Sequence, residues 1–117
     1  MNVPEMTLRQ KQSLFVELCG HLIARAYATG FELTWGEAYR TPEQAALNAA
    51  KGIGIKNSLH CLRLALDFNL FKDGMWLRNS EDFETLGFYW EGLHPLCRWG
   101  GRFDDGNHFS LEHGGRK

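Results

Sequence analysis

Cysteine is scarce in the sequence, and the three cysteines present form no recognisable pattern. Cys19, Cys61 and Cys97 are odd in number and widely spaced, and no C-x-x-C pair occurs. This spacing argues against a disulfide framework and against a zinc site built from thiolates. We therefore expect all three thiols to be small, buried hydrophobic groups.

The sequence also lacks an excess of charge of either sign and any long apolar run. The formal net charge is −1 and the isoelectric point is about 6.5, with Lys and Arg scattered along the chain. Without a basic stripe to neutralise phosphates or lipid headgroups, nucleic acid and membrane surfaces are poor candidate partners. No stretch approaches the roughly 20 apolar residues of a membrane span, and the N-terminus has no signal-peptide pattern. These absences predict synthesis and folding in the cytoplasm, without membrane insertion.

What the sequence does have is a generous supply of apolar and aromatic residues. The hydrophobic fraction is 44%, with four Trp and eight Phe among 117 residues. That supply is enough for the core of one domain spanning residues 1–117, which we expect to be a monomer. We expect the four tryptophans to lie in this core rather than to serve as platforms for sugars: Trp35, Trp76, Trp90 and Trp99.

Hydrophobic periodicity predicts three helices and four strands. A capping box at Thr7 opens the first helix, Thr41 caps the second and Ser80 caps the third. The predicted helices cover 8–28, 42–50 and 81–91, the last with a possible extension to 97, and the predicted strands cover 31–39, 62–70, 75–77 and 108–112. Residues 99–107 are expected to form a loop, and residues 113–117 a frayed tail. The pattern predicts an α+β domain, with a small, mainly antiparallel sheet and helices packed on one face.

Two histidines and an aspartate form a candidate metal site at this sheet. Neutral imidazole and carboxylate suit a catalytic Zn²⁺ ion, and His60, Asp67 and His108 could supply them. A continuous strand would place His60 and Asp67 on opposite faces, so we expect His60 to lie in the turn before the strand. Asp105 lies three residues before His108 and is our candidate for the general base that acts on a metal-bound water.

Taken alone, these residues also have ordinary interpretations. A single histidine is more often a surface or hydrogen-bonded residue than a ligand, and Asp67 on the polar face of a strand would ordinarily be solvated. The 104–107 segment would ordinarily be only a turn. Arg40 and Glu43 would form a charge pair at a helix end. The residues by themselves leave these alternatives open.

Longer motifs in the chain resemble those of a known peptidase family. The matching segments are S-L-H-C-L-R-L-A-L-D at 58–67, W-G-G at 99–101, D-G-N-H-F at 105–109 and Y-R-T-P-E-Q at 39–44. In this order they resemble the S-x-H-(x)4-A-x-D, W-G-G, D-x-x-H-F and Y-R-(S/T)-x-x-x-Q elements of the zinc peptidases that cleave peptidoglycan. This family includes phage L-alanyl-D-glutamate endopeptidases and bacterial D-alanyl-D-alanine carboxypeptidases, with a hedgehog-like zinc peptidase fold. The similarity extends over most of residues 31–109.

The resemblance implies a role for each matching position. It implies one Zn²⁺ per chain held by His60, Asp67 and His108, with Asp105 as the catalytic base. Arg40 would bind substrate or stabilise the oxyanion, and two further side chains would contribute to the substrate site: Ser58 and Gln44. Arg63 departs from the pattern, because many members of the family have glycine there.

The resemblance further implies a phage or prophage endolysin. The short chain fits small endolysins that hydrolyse stem peptides during host-cell lysis, an antimicrobial activity. Such an enzyme would reach the cell wall in the periplasm after a separate protein permeabilises the membrane. A D-alanyl-D-alanine carboxypeptidase of the same family is the nearest alternative.

Other functions remain open at this stage. A cysteine peptidase would use Cys61 or Cys97 with a histidine. A non-catalytic module would bind the wall or a protein and use the metal only as a structural staple. A lysozyme-like glycosidase needs two carboxylates in a cleft, and the sequence shows no arrangement that selects for one.

Overall fold

The computed structural model of the protein describes residues 5–55 and 57–117. These contain three α-helices, five strands and three short 3-10 turns. The α-helices are α1 (Leu8–Ala28), α2 (Pro42–Ala50) and α3 (Glu84–Leu93), and the strands are β1 (Glu32–Trp35), β2 (Ala65–Lys72), β3 (Met75–Leu77), β4 (Cys97–Trp99) and β5 (His108–Leu111). The 3-10 turns span Leu59–Leu62, Ser80–Phe83 and Gly100–Phe103.

The five strands form one open sheet in which every pair is antiparallel. The order is β1-β2-β5-β4, and β3 also pairs with the end of β2. β2 is long enough to pair with β1 along one side and with β5 and then β3 along the other. The predicted α+β class and the antiparallel sheet are confirmed.

The longest helix, α1, begins as its capping box predicts. The Thr7 hydroxyl accepts a hydrogen bond from the Gln10 amide at 3.2 Å, and the Gln10 side chain accepts one from the Thr7 amide at 2.9 Å. These two bonds satisfy amides that the first helical turn leaves without partners. Downstream, α1 contributes a buried apolar stripe at helical spacing: Phe15, Leu18, Cys19, Leu22 and Ala26.

The core lies between the sheet and the two helices α1 and α3. Phe15 of α1 packs edge-on against Trp90 of α3, whose ring in turn contacts Phe109 of β5. Trp90 is fully buried, and its indole N–H donates to the backbone carbonyls of Arg98 and Ser110. The helices therefore cover the face of the sheet that carries Phe109.

Two predicted strands have different boundaries in the structure. The predicted strand over residues 31–39 is regular only within β1, after which the chain runs beside β2 as an irregular segment. The predicted strand over residues 62–70 begins later, because a 3-10 turn spans Leu59–Leu62 and Arg63 follows it in the left-handed conformation at φ 57°. That conformation breaks an extended run, so β2 starts at Ala65.

The third helix begins at Glu84, three residues later than predicted, and its predicted extension to residue 97 is wrong. Ser80–Phe83 forms a 3-10 turn capped by Asn79, and α3 ends at Leu93. Pro95 disfavours helical geometry for the residue before it, and His94 is extended at φ −160° and ψ 147°. The chain can then enter β4, a strand that the sequence analysis missed.

Three smaller expectations also need correction. Trp35 and Trp76 are 69% and 55% exposed, so only Trp90 and Trp99 belong to the core. Cys61 is half-buried, whereas Cys19 and Cys97 are buried as expected. The predicted frayed tail contains a β-bridge between His113 and Arg116. No helix of the described residues has the length and apolar character needed to cross a bilayer.

Candidate metal centre

The three predicted metal ligands come from neighbouring elements of the sheet. Asp67 of β2 is directly paired with His108 of β5, so both side chains leave the sheet on the same face. His60 lies in the 3-10 turn before β2, as its spacing from Asp67 predicted. The turn folds the chain back so that an imidazole seven residues earlier can reach the aspartate.

The donor atoms of these three side chains converge on one point. His60 Nε2 lies 3.3 Å from Asp67 Oδ1, and His108 Nδ1 lies 3.3 Å from the same oxygen. All three donor atoms lie within 4.8 Å of one another, and both imidazoles are buried. His60, Asp67 and His108 can therefore hold a metal ion.

A backbone segment that we name the clamp, residues 36–40, holds two of these ligand residues in place. The amide of Gly36 donates to the Asp67 carbonyl at 2.8 Å, and the amide of Asp67 donates to the Glu37 carbonyl at 2.9 Å. The amide of Arg40 donates to the His60 carbonyl at 3.2 Å. A Cβ at Gly36 would lie 2.7 Å from the Asp67 carbonyl oxygen, so this close approach requires glycine.

The clamp also fixes the tautomer of His60. Nδ1 of His60 donates to the Ala38 carbonyl at 3.0 Å, which leaves Nε2 as the nitrogen that faces Asp67. A carbonyl partner on the second ring nitrogen is the usual way in which proteins orient a metal-binding imidazole. Ser58 supports the same residue, because its hydroxyl accepts the His60 amide at 3.1 Å and caps the turn.

The electrostatics of the metal-free site reflect this crowding. Burial tends to raise the pKa of Asp67, but hydrogen bonds and charge from His108 and His60 outweigh it and lower the pKa to about 2. Burial tends to lower the pKa of His60, but the Asp67 carboxylate, the Ala38 carbonyl and Glu37 together raise that pKa above its ordinary value. The site formed by Asp67 and His60 therefore favours a positive charge between the two side chains, which a proton or a metal cation can supply.

Asp105, the predicted base, lies in the loop that leads into β5. Its Oδ2 is 4.0 Å from His108 Nδ1, and its carboxylate lines the same cleft as the three ligands. Burial, joined by repulsion from the Asp67 carboxylate, raises the pKa of Asp105 despite the opposing charges of His108, His60 and Arg40. A carboxylate with a raised pKa is better suited to accept and return a proton near neutral pH.

The loop that carries Asp105 is held from several sides. The amide of Asp105 donates to the Gly100 carbonyl at 2.9 Å, and a Cβ at Gly100 would lie 2.1 Å from the Asp105 carbonyl oxygen. Ser80 accepts the Gly106 amide at 3.0 Å, and the Trp99 indole donates to the Gly106 carbonyl at 2.8 Å. The predicted W-G-G element thus acts as a support for the Asp105 loop.

These groups open into a cleft of about 490 Å³. The predicted residues Arg40, Ser58 and Asp105 line it with the three ligands, and apolar side chains form part of its wall: Ile53, Ile55, Leu59 and Phe103. Gln44 is not among the described lining residues, because it lies on α2 and its amide donates to the Asn48 side chain at 2.7 Å. The substrate role of Gln44 stays a prediction.

Sequence reasoning missed one charged residue at this site, Glu37. Arg40 donates a hydrogen bond to the Glu37 carboxylate, so its partner is not Glu43, the residue of the alternative charge pair. The same Glu37 oxygen lies 3.7 Å from His60 Nδ1. In a regular strand, residues three positions apart lie on opposite faces, so the predicted strand over residues 31–39 gave no reason to pair Glu37 with Arg40.

The donor set fits zinc better than it fits hard cations such as magnesium. Two imidazole nitrogens and one carboxylate are typical of catalytic zinc sites and leave room for a further ligand. Ligand atoms at about 2.0–2.1 Å from a tetrahedral metal would lie about 3.3–3.4 Å apart. The two contacts of 3.3 Å at Asp67 Oδ1 agree with that spacing. Two of the three separations between ligand atoms therefore suit a tetrahedral ion, and the third, between the two imidazole nitrogens, is within 4.8 Å.

The cysteines do not form an alternative centre among the described residues. Burial raises the pKa of both Cys19 and Cys97 to about 12, so neither supplies a thiolate at neutral pH. Cys61 faces the Thr41 carbonyl, 3.9 Å from its sulfur, and it is not among the residues described as lining the cleft. These placements favour the imidazole and carboxylate cluster as the chemical centre.

Comparison with known proteins returned no match to any family model or to any curated protein. What the centre can do is therefore inferred from its own residues. These offer a cation site, a nearby carboxylate of raised pKa and a guanidinium, all facing one cleft.

Proposed function

We propose that the protein is a zinc-dependent peptidase that hydrolyses peptide bonds in the stem peptides of peptidoglycan. The observation that carries this proposal is the convergence of His60, Asp67 and His108 beside the Asp105 carboxylate in an open cleft. A purely structural metal site would ordinarily be closed by a fourth protein ligand. The resemblance of the motifs at 39–44, 58–67, 99–101 and 105–109 to the peptidoglycan peptidases supports the choice of substrate.

The residues of the cleft divide the work of amide hydrolysis among them. A zinc ion held by His60, Asp67 and His108 would polarise the scissile carbonyl and lower the pKa of a water molecule to about 7. Asp105 takes a proton from the attacking water as the water oxygen bonds to the carbonyl carbon. Arg40 donates hydrogen bonds to the oxyanion that develops. Asp105 then returns the proton to the leaving amine as the C–N bond breaks.

Within this chemistry we propose an L-alanyl-D-glutamate endopeptidase of the phage endolysin type. The resemblance covers the catalytic motifs between residues 39 and 109. On this proposal the enzyme acts on the cell wall after membrane permeabilisation. A D-alanyl-D-alanine carboxypeptidase uses the same residues and differs in the bond that is cleaved.

The test is digestion of purified peptidoglycan by zinc-loaded and chelator-stripped protein. We expect new amino groups only with zinc, and mass spectrometry of the fragments identifies the bond that was cut. Cleavage that is unchanged after complete removal of the metal would contradict the proposal. Protein that sediments with peptidoglycan but releases no amino groups would instead indicate a binding module.

Asp105→Asn tests the proposed base directly. We expect kcat to fall by about 10²–10⁴-fold while zinc affinity is maintained, because Asp105 is not one of the three ligands. Asp104→Asn is the matched control, since Asp104 contacts Ser80 and is not among the residues that line the cleft. An Asp105→Asn variant as active as this control would exclude the assigned role.

A further inference from the structure

We propose that Glu37 is a positioning residue that holds the Arg40 guanidinium and the His60 imidazole together at the wall of the cleft. One carboxylate oxygen, Oε1, accepts a hydrogen bond from Arg40 and lies 3.7 Å from His60 Nδ1. The inference rests on the proposed peptidase function, because it assigns Glu37 to the groups that would bind the cation and the oxyanion.

The backbone places this carboxylate firmly. The Glu37 carbonyl accepts the Asp67 amide at 2.9 Å, and the next residue, Ala38, accepts His60 Nδ1 at 3.0 Å. Glu37 thus lies in the clamp at the point where the chain bonds to two metal-ligand residues. Its side chain extends from this fixed backbone towards Arg40 and His60.

The charges around Arg40 explain why a carboxylate is needed there. The Arg40 side chain is only 16% exposed, and Glu37 is its one ion-pair partner among the residues that the structure describes. A bound divalent cation would repel a nearby guanidinium, and that repulsion is strong where water is largely excluded. The Glu37 carboxylate contacts the Arg40 guanidinium and offsets its positive charge, which lowers this repulsion.

Glu37 also acts on His60 by its charge. A carboxylate beside the outer nitrogen of an imidazole ligand increases the basicity of the nitrogen that faces the metal. Because Ala38 keeps the hydrogen bond to His60, loss of the Glu37 charge should weaken the ligand without releasing it. The expected consequence is weaker zinc binding, with the site otherwise retained.

Glu37→Gln isolates this role, since the amide has the same shape and the side chain is 38% exposed, so the fold should tolerate the change. We expect about tenfold weaker affinity for Zn²⁺ alone in a competition titration. We also expect kcat on peptidoglycan fragments to fall about tenfold at saturating zinc. Glu37→Ala, which removes the same carboxylate, should show both effects.

Glu43→Gln is the matched control. Glu43 lies six residues further along, in the exposed first turn of α2. This variant removes one negative charge from the same region of the chain, from a side chain that forms no ion pair with Arg40 or His60, whose ion-pair contacts among the described residues are with Glu37 and, for His60, also with Asp67. We expect it to match the wild type in zinc affinity and in kcat.

A double-mutant cycle with Arg40→Ala separates the two actions of Glu37. If Glu37 acts on catalysis through Arg40, Glu37→Gln should lower kcat no further in the Arg40→Ala background, while the loss of zinc affinity persists. Equal losses of kcat with and without Arg40, or a Glu37→Gln variant that matches Glu43→Gln in both readouts, would overturn the proposal. If the wild type cleaves no peptide, the proposed function fails, whereas the zinc titration still tests the effect of Glu37 on His60.

Discussion

The two faces of the central strands differ sharply in what their residues do. Phe68 and Phe109 are buried on the face covered by α1 and α3, and their rings contact each other. Their immediate neighbours, Asp67 and His108, project from the opposite face and meet in the candidate metal centre. One step along each strand separates the hydrophobic core from the candidate chemistry.

This difference shows how a small domain can separate stability from function. Burial of apolar area on the core face stabilises the fold. The other face brings two imidazoles and a carboxylate close together, in an arrangement that favours a bound cation. Substitutions on the two faces should therefore have different signatures. Changes at the centre should alter metal binding and the pH dependence of stability, and changes in the core should lower the free energy of unfolding at every pH.

The largest effect is expected at the centre, from His108→Ala. Removal of one of three ligands should abolish saturable zinc binding and peptidoglycan cleavage, because two ligands hold the ion too weakly. Zinc titration and the cleavage assay measure these losses. His21→Ala, at an exposed position on α1, is the control and should bind zinc like the wild type. A His108→Ala variant within tenfold of that affinity would break the comparison.

On the core face, Trp90→Ala should lower the free energy of unfolding by about 3–5 kcal/mol. The substitution leaves a cavity between α1 and the sheet and removes the indole donor from the Arg98 and Ser110 carbonyls. Urea unfolding of the metal-free protein measures the change, with Trp35→Ala as the control at a site 69% exposed. We expect the control to lose less than about 1 kcal/mol. Similar losses in the two variants would show that the core is placed wrongly.

A smaller effect is expected from acid. The pKa of Asp67 is about 2 in the folded, metal-free chain and 3.8 ordinarily, so its stabilising contribution is present above pH 4 and is lost as the pH falls towards 2. That shift corresponds to about 2 kcal/mol. Urea unfolding at a series of pH values should show this loss in the wild type, and Asp67→Asn should remove it. An unchanged acid dependence in Asp67→Asn would contradict the assigned electrostatics.

His60 should act in the opposite direction on the pH scale. Its pKa is raised above 6.5 in the folded, metal-free chain, so its contribution is present below pH 6.5 and is lost as the pH rises through the raised value. Zinc replaces the proton between the ligands and should remove this alkaline loss. The same pH series, repeated with zinc, therefore sharpens the contrast between the two faces.

Local signals in the sequence predicted much of the fold. The Thr7 and Gln10 capping box located the start of α1, and strict alternation located most of β2. The strand β4 could not be predicted in this way, because it has only three residues and follows a turn at Pro95 and Leu96. Its pairing with β5 is a long-range contact that no local periodicity records.

The candidate site was predictable in its residues but not in its geometry. Because a continuous strand would place His60 and Asp67 on opposite faces, His60 was correctly predicted to lie in a turn before β2. The pairing of Asp67 with His108, 41 residues apart, depends on the register between β2 and β5, which is set by packing. The Glu37 contact was missed because residues 36–40 depart from a regular strand and bring Glu37 and Arg40 to the same side. Irregular backbone defeats predictions that rest on a fixed period.

The most direct measurement is X-ray absorption spectroscopy of the zinc-loaded protein, compared with the His60→Ala and His108→Ala variants. We expect the zinc ion to be coordinated by nitrogen and oxygen at about 2.0–2.2 Å, including two imidazoles, and this coordination should be lost in both variants. Sulfur scattering at about 2.3 Å, or a wild-type spectrum that persists in either variant, would contradict a centre formed by His60, Asp67 and His108.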